Sequence, residues 1–109
     1  MNKQELMNLR TNVQPLYETA QAAMLRAKAG LEFAEQTAKE AKIAALGRAD
    51  GKNEAQRTAA AYAETGVIDA MDDEAQAKLE FALAYAEYMK HKAVIDYVRD
   101  MTALLALED

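Results

Sequence analysis

The sequence predicts an all-α fold: two long antiparallel helices paired as a hairpin, short helices at the N-terminus and in the connection, and a helix bundle completed by oligomerisation. Three observations predict it. The 109 residues include 25 alanines but only four glycines and one proline, a mixture that favours helix and leaves little material for turns or strands. Apolar residues recur every three or four places over most of the chain. The one dense group of helix breakers, Gly47-Arg48-Ala49-Asp50-Gly51-Lys52-Asn53, stands near the middle.

The first element is predicted as a short helix over about residues 2–12. Pro15 lacks a backbone donor and is tolerated best in a first turn, so a long helix is expected from about 15 to 46, a kink in one continuous helix being the alternative. Along it Leu6, Val13, Ala20, Ala27, Ala34 and Ala41 recur every seven residues, with Tyr17, Met24, Leu31, Ala38 and Ala45 as the companion series. That is a two-line seam in which alanine permits close approach of another helix, and an intramolecular partner is favoured over a dimer seam.

Residues 47–53 form the turn. Gly47 suits the end of the long helix, Asn53 the N-cap of a short helix over about 54–64, and Glu54 its first turn. Gly66 then reads as a stop. Asp69, Asp72, Asp73 and Glu74 would crowd the positive end of a last long helix over about 72–107. That helix has two apolar lines: Leu79, Ala82, Ala86, Met89, Ala93, Tyr97, Met101 and Leu104 on one, and Phe81, Tyr85, Tyr88, Ile95, Val98 and Leu105 on the other. One hairpin partner covers one line, so either the short helices or another subunit covers the second, and Phe81, Tyr85, Tyr88, Ile95 and Val98 are the candidate oligomer surface. A single domain spanning 1–109 is expected, and its alanine-rich core is small enough to make partners expected as well.

Composition narrows the chemistry. With no cysteine there is neither disulfide nor thiolate, and with no serine there is no serine nucleophile. His91, the one histidine, has Glu87 a turn away and no third ligand at zinc spacing. The acidic group at 69–74 lacks the spaced oxygens and internal glycine of a calcium loop. Gly47, Gly51 and Lys52 miss the spacing of a phosphate-binding loop, and Asn53 stands where Ser or Thr belongs. No catalytic residue, metal or cofactor is assigned, and the chain is read as a non-enzyme.

The net charge of −5 is uneven. Residues 1–47 hold six basic and five acidic groups, residues 48–73 three and six, residues 74–109 four and seven. Basic groups dispersed among carboxylates make direct nucleic-acid binding unexpected. The polar opening Met1-Asn2-Lys3-Gln4-Glu5-Leu6 and the short apolar runs predict no signal peptide and no membrane span, hence a cytoplasmic protein. Lys52, Asn53, Arg57 and Tyr62, with Arg48, gather near the turn as a candidate contact for a partner or a small anionic ligand, nucleotides included.

The segment Gly51-Lys52-Asn53-Glu54 with Arg57, set between two Ala-rich amphipathic helices, resembles a group of small uncharacterised phage and prophage proteins. The likeness in layout covers about residues 20–107. The chain departs from that pattern in its many alanines where leucine is usual and in its N-terminal extension through Pro15. The resemblance implies a phage-type accessory protein, in the host cytoplasm if phage-encoded, and carries over no activity. The leading expectation is an oligomer that binds another protein, such as a host defence or recombination protein. An oligomeric sponge for an anionic nucleotide signal and a structural or scaffold component are the alternatives.

Overall fold

The computed structural model describes residues 1–108, which form three helices: α1 (Lys3–Arg48), α2 (Glu54–Tyr62) and α3 (Thr65–Glu108). The all-α hairpin expectation holds, with α1 packed on α3. Two boundaries are corrected. The first concerns Pro15, which lies inside α1 rather than opening a second helix. Proline removes its own donor and crowds the carbonyl four residues back. Here Thr11 and Pro15 are both exposed, so that carbonyl faces water, while Val13 and Tyr17 pack inward on either side. Burial of the inner face outweighs the missing hydrogen bond.

The second correction concerns α3, which starts at Thr65 and not near 72. Gly66 stops nothing. The Glu64 carbonyl accepts from the backbone N–H groups of Val67 and Ile68 at 3.1 and 3.0 Å, which opens the helix, and Val67 is 1% exposed. Burying that valine is worth about 1.5–3 kcal/mol, more than the roughly 1 kcal/mol that glycine costs in a helix. Asp69, Asp72 and Asp73 therefore lie beyond the first turn and cap nothing, and Glu74 pairs with Lys78 at 3.3 Å.

The chain divides into two compact units. One joins Met1–Arg26 of α1 to α3 from Ala82 onward. Its buried side chains are Leu6, Val13, Ala20 and Val98, and the Tyr17 and Tyr88 rings meet at 5.5 Å. The other, Ala27–Phe81, contains the rest of α1, all of α2 and the start of α3. Its buried positions are Ala34, Ala38, Ala45, Ala61 and Ala70 with the single bulkier Val67. Ala45, Ala61 and Val67 form a cluster flanked by Ala41 and Ala49, one residue or more from each of the three helices. In both units the heptad lines read in α1 are the ones turned inward.

Candidate binding surfaces

The turn is closed by its own side chains. The Asn53 backbone is extended (φ −148°, ψ 174°), and its Oδ1 accepts from the Gln56 backbone N–H at 2.9 Å. The Gln56 side chain returns to accept from the Lys52 backbone N–H at 2.8 Å. This reciprocal arrangement satisfies amides that an unfurnished helix start would present to an anion. Gly51 is required by close approach: a Cβ there would lie 2.9 Å from the Arg57 nitrogen and 2.9 Å from the Gln56 Cβ.

The predicted turn residues are thus placed near one another and all remain exposed, while the side chains of Asn53 and Arg57 bond within the turn itself. Arg57 donates to the Gly51 carbonyl at 3.4 Å, tying down its own loop and not a neighbouring helix. The tie between elements is Arg48, which donates to Glu64 at 2.6 Å. Tyr62 is 40% exposed, and the Lys42 ammonium sits 5.7 Å from its ring centroid, within cation–π range. This tyrosine face is covered by a lysine that the sequence reading did not connect to it.

The candidate oligomer surface also changes. Val98 is 4% exposed, and Phe81, Tyr88 and Ile95 are half-buried. Tyr88 stacks on Tyr17, and Tyr85 follows it at 6.3 Å while remaining 47% exposed. These side chains mostly belong to the α1-facing side. The line expected to face α1 is outward: Leu79, Met89, Tyr97 and Leu104 are 40–53% exposed, and Leu83 beside them 64%. The physical reason is area: against Leu6, Val13 and Tyr17, the α3 line without alanine buries more apolar surface than a line containing Ala82, Ala86 and Ala93 could.

Sequence reasoning missed a polar cluster on that inner side. Lys92 donates to Asp96 at 2.9 Å, and Arg99 reaches Asp96 at 3.4 Å. The hydrogen bond, then charge attraction, raises the Lys92 pKa; the same bond lowers that of Asp96. Hydrogen bonding with Tyr88, followed by desolvation, raises the pKa of Tyr17. The i,i+4 spacing of Lys92 and Asp96 was visible, but their nearness to the two tyrosines depends on pairing with α1. His91 Nε2 lies 2.9 Å from Glu87 Oε1, with the imidazole mostly buried. Among the described residues no three His, Asp or Glu groups converge on a metal position.

One cleft of about 290 Å³ is lined by Arg10, Gln14, Ile95, Val98, Arg99 and Thr102. Arg99 is committed to Asp96 and Asp100. No described helix is long and apolar enough to cross a membrane. No family model matches the chain, and no curated protein or solved structure shows significant similarity to it.

Proposed function

We propose that this chain is a non-enzymatic, phage-type accessory protein that acts by binding another protein through the outward line of α3. The observation that carries this reading is the exposure of Leu83 (64%), Tyr97 (45%) and Leu104 (53%) along one side of one helix. Single exposed apolar residues are ordinary, whereas several aligned on one side of a helix, with Lys90 among them, support an interaction surface. The lack of serine and cysteine, together with the internal pairing of His91, supports a binding role over catalysis. The resemblance to small phage proteins suggests a host defence or recombination protein as the partner class.

The nucleotide-sponge reading draws less support. The amides at the start of α2 are satisfied by Asn53 and Gln56, and Arg57 is held on Gly51. The binding reading is tested by capture from host lysate with the unaltered chain and with Leu83→Glu plus Tyr97→Glu. Specific capture lost in the double variant is the expected result. Equal capture by both would remove the outward line of α3 from the interface.

A further inference from the structure

The outward face of α3 from Ala82 to Leu104 lies within one compact unit. At helical spacing, Ala86, Ala93 and Asp100 run down its middle, seven residues apart, while Leu83, Lys90, Tyr97 and Leu104 form one shoulder. Small midline residues allow another helix to come close, as the alanines of α1 do inside the molecule, and the exposed shoulder supplies apolar area to be covered. We infer that this face docks a second copy of the same chain, with the two α3 helices antiparallel and crossing their two-fold axis at Ala93.

Charge selects both the occupant and the direction. Lys90 and Asp100 are the charged members of the midline and shoulder. Among the described residues Lys90 reaches only Glu87, at 3.9 Å, and Asp100 only the adjacent Arg99, at 3.2 Å. In a parallel pair each midline residue meets its own copy, so Asp100 would be pressed against another Asp100 where water is displaced. In the antiparallel pair centred on Ala93, Asp100 meets Ala86 of the second copy, seven places to the other side of the axis. Lys90 of that copy is then one turn further along, within reach of the carboxylate. The same symmetry brings Leu83 to Leu104 of the second copy and Tyr97 to the neighbourhood of Lys90. A surface in which cation and anion exchange places across a two-fold axis is complementary to itself.

This inference rests on the protein-binding reading and names a second copy, in place of a host protein, as the chain that covers the outward line, and it fails separately. The chain contains no cysteine, so single cysteines report geometry without background. On mild oxidation, full-length Ala93→Cys is expected to form a disulfide-linked dimer. Ala86→Cys alone is not, because its copies would lie about 21 Å apart along the helix, far beyond the roughly 4.4–6.8 Å between Cα atoms of a disulfide. Ala86→Cys mixed with Asp100→Cys is expected to crosslink. Adding Leu83→Glu to Ala93→Cys should reduce the crosslinked yield about tenfold, with the far-ultraviolet circular dichroism unchanged because Leu83 is exposed.

Crosslinking of Ala86→Cys to itself would replace the antiparallel pair with a parallel one and overturn the inference. A monomeric mass by sedimentation velocity across the micromolar range, with no Ala93→Cys product, would overturn self-pairing altogether. Under that last outcome, capture of a host protein that is lost with Leu83→Glu leaves the protein-binding reading standing.

Discussion

Both compact units pair α1 with α3 through different side chains, and the second adds α2. The unit made of Met1–Arg26 and α3 from Ala82 onward buries Leu6, Val13 and Val98 and stacks Tyr17 on Tyr88. In the Ala27–Phe81 unit nearly every buried side chain is alanine, and Val67 is the bulkiest of them. The first unit gains stability from the area of each side chain. The second gains it from proximity, because alanine carries little area and its contribution depends on backbones lying close together. The two should therefore fail in opposite ways, the first on truncation and the second on enlargement.

The largest expected effect follows from that contrast. Ala45 is fully buried among Ala61 and Val67, so Ala45→Leu introduces a branched side chain where three elements meet. It is expected to destabilise by about 3 kcal/mol, the upper part of the overpacking range. In the first unit Val98→Ala removes two methyl groups at a buried position and should cost about 2 kcal/mol. Urea unfolding of both variants checks the pair. A tolerated Ala45→Leu would mean that the alanine-lined unit packs loosely, and the contrast between the units would collapse.

A smaller effect tests the turn that closes the second unit. Asn53→Ala deletes the acceptor for the Gln56 backbone N–H and should cost about 1 kcal/mol. Asn53→Gly should recover most of it, since glycine is a fair N-cap without a side-chain bond. Equal losses in the two variants would show that the Asn53 side chain stabilises the turn by something other than capping.

The parts of this molecule readable in the sequence are those governed by local rules. Asn53 as N-cap, Gly51 as a turn glycine and the inward heptad lines of α1 follow from capping, backbone freedom and periodicity, all of which act within a few residues. The errors arose where tertiary burial overrode a local signal. Pro15 and Gly66 are breakers by propensity, but Val13, Tyr17 and Val67 beside them are packed, and the helices run through. The two apolar lines of α3 have nearly equal hydrophobic character, so periodicity located both and could not say which one met α1. Choosing between them required the side-chain volumes on the facing helix. The cluster of Tyr17, Tyr88, Lys92 and Asp96 was hidden for the same reason, since it is assembled from residues far apart in the chain. Arg57 presents the milder version of this problem: its position in the turn was legible, but its choice of Gly51 over another helix was not.

The smallest effect is a pH dependence located in the first unit. Asp96 has a lowered pKa because Lys92 hydrogen-bonds to its charged form. Its contribution is therefore present above the ordinary carboxylate pKa of about 3.9 and is lost as pH falls through the lower folded value. Lys92 and Tyr17 have raised values, so their contributions are complete below their ordinary pKa values of roughly 10.4 and 10 and are lost as pH rises through the folded ones. Stability should be flat near neutrality and decline at both ends, with Tyr17→Phe and Lys92→Met each making the alkaline decline shallower and Asp96→Asn the acid one. Because all three groups remain partly open to solvent, the changes should be modest beside those of Ala45→Leu or Val98→Ala. Hydrogen exchange followed above pH 10 is the sharper measurement, since amides of residues 82–108 should lose protection before those of residues 27–81. Simultaneous loss in the two segments would mean that the tyrosine and lysine titrations act on the whole chain, and that the units, different in packing, open as one.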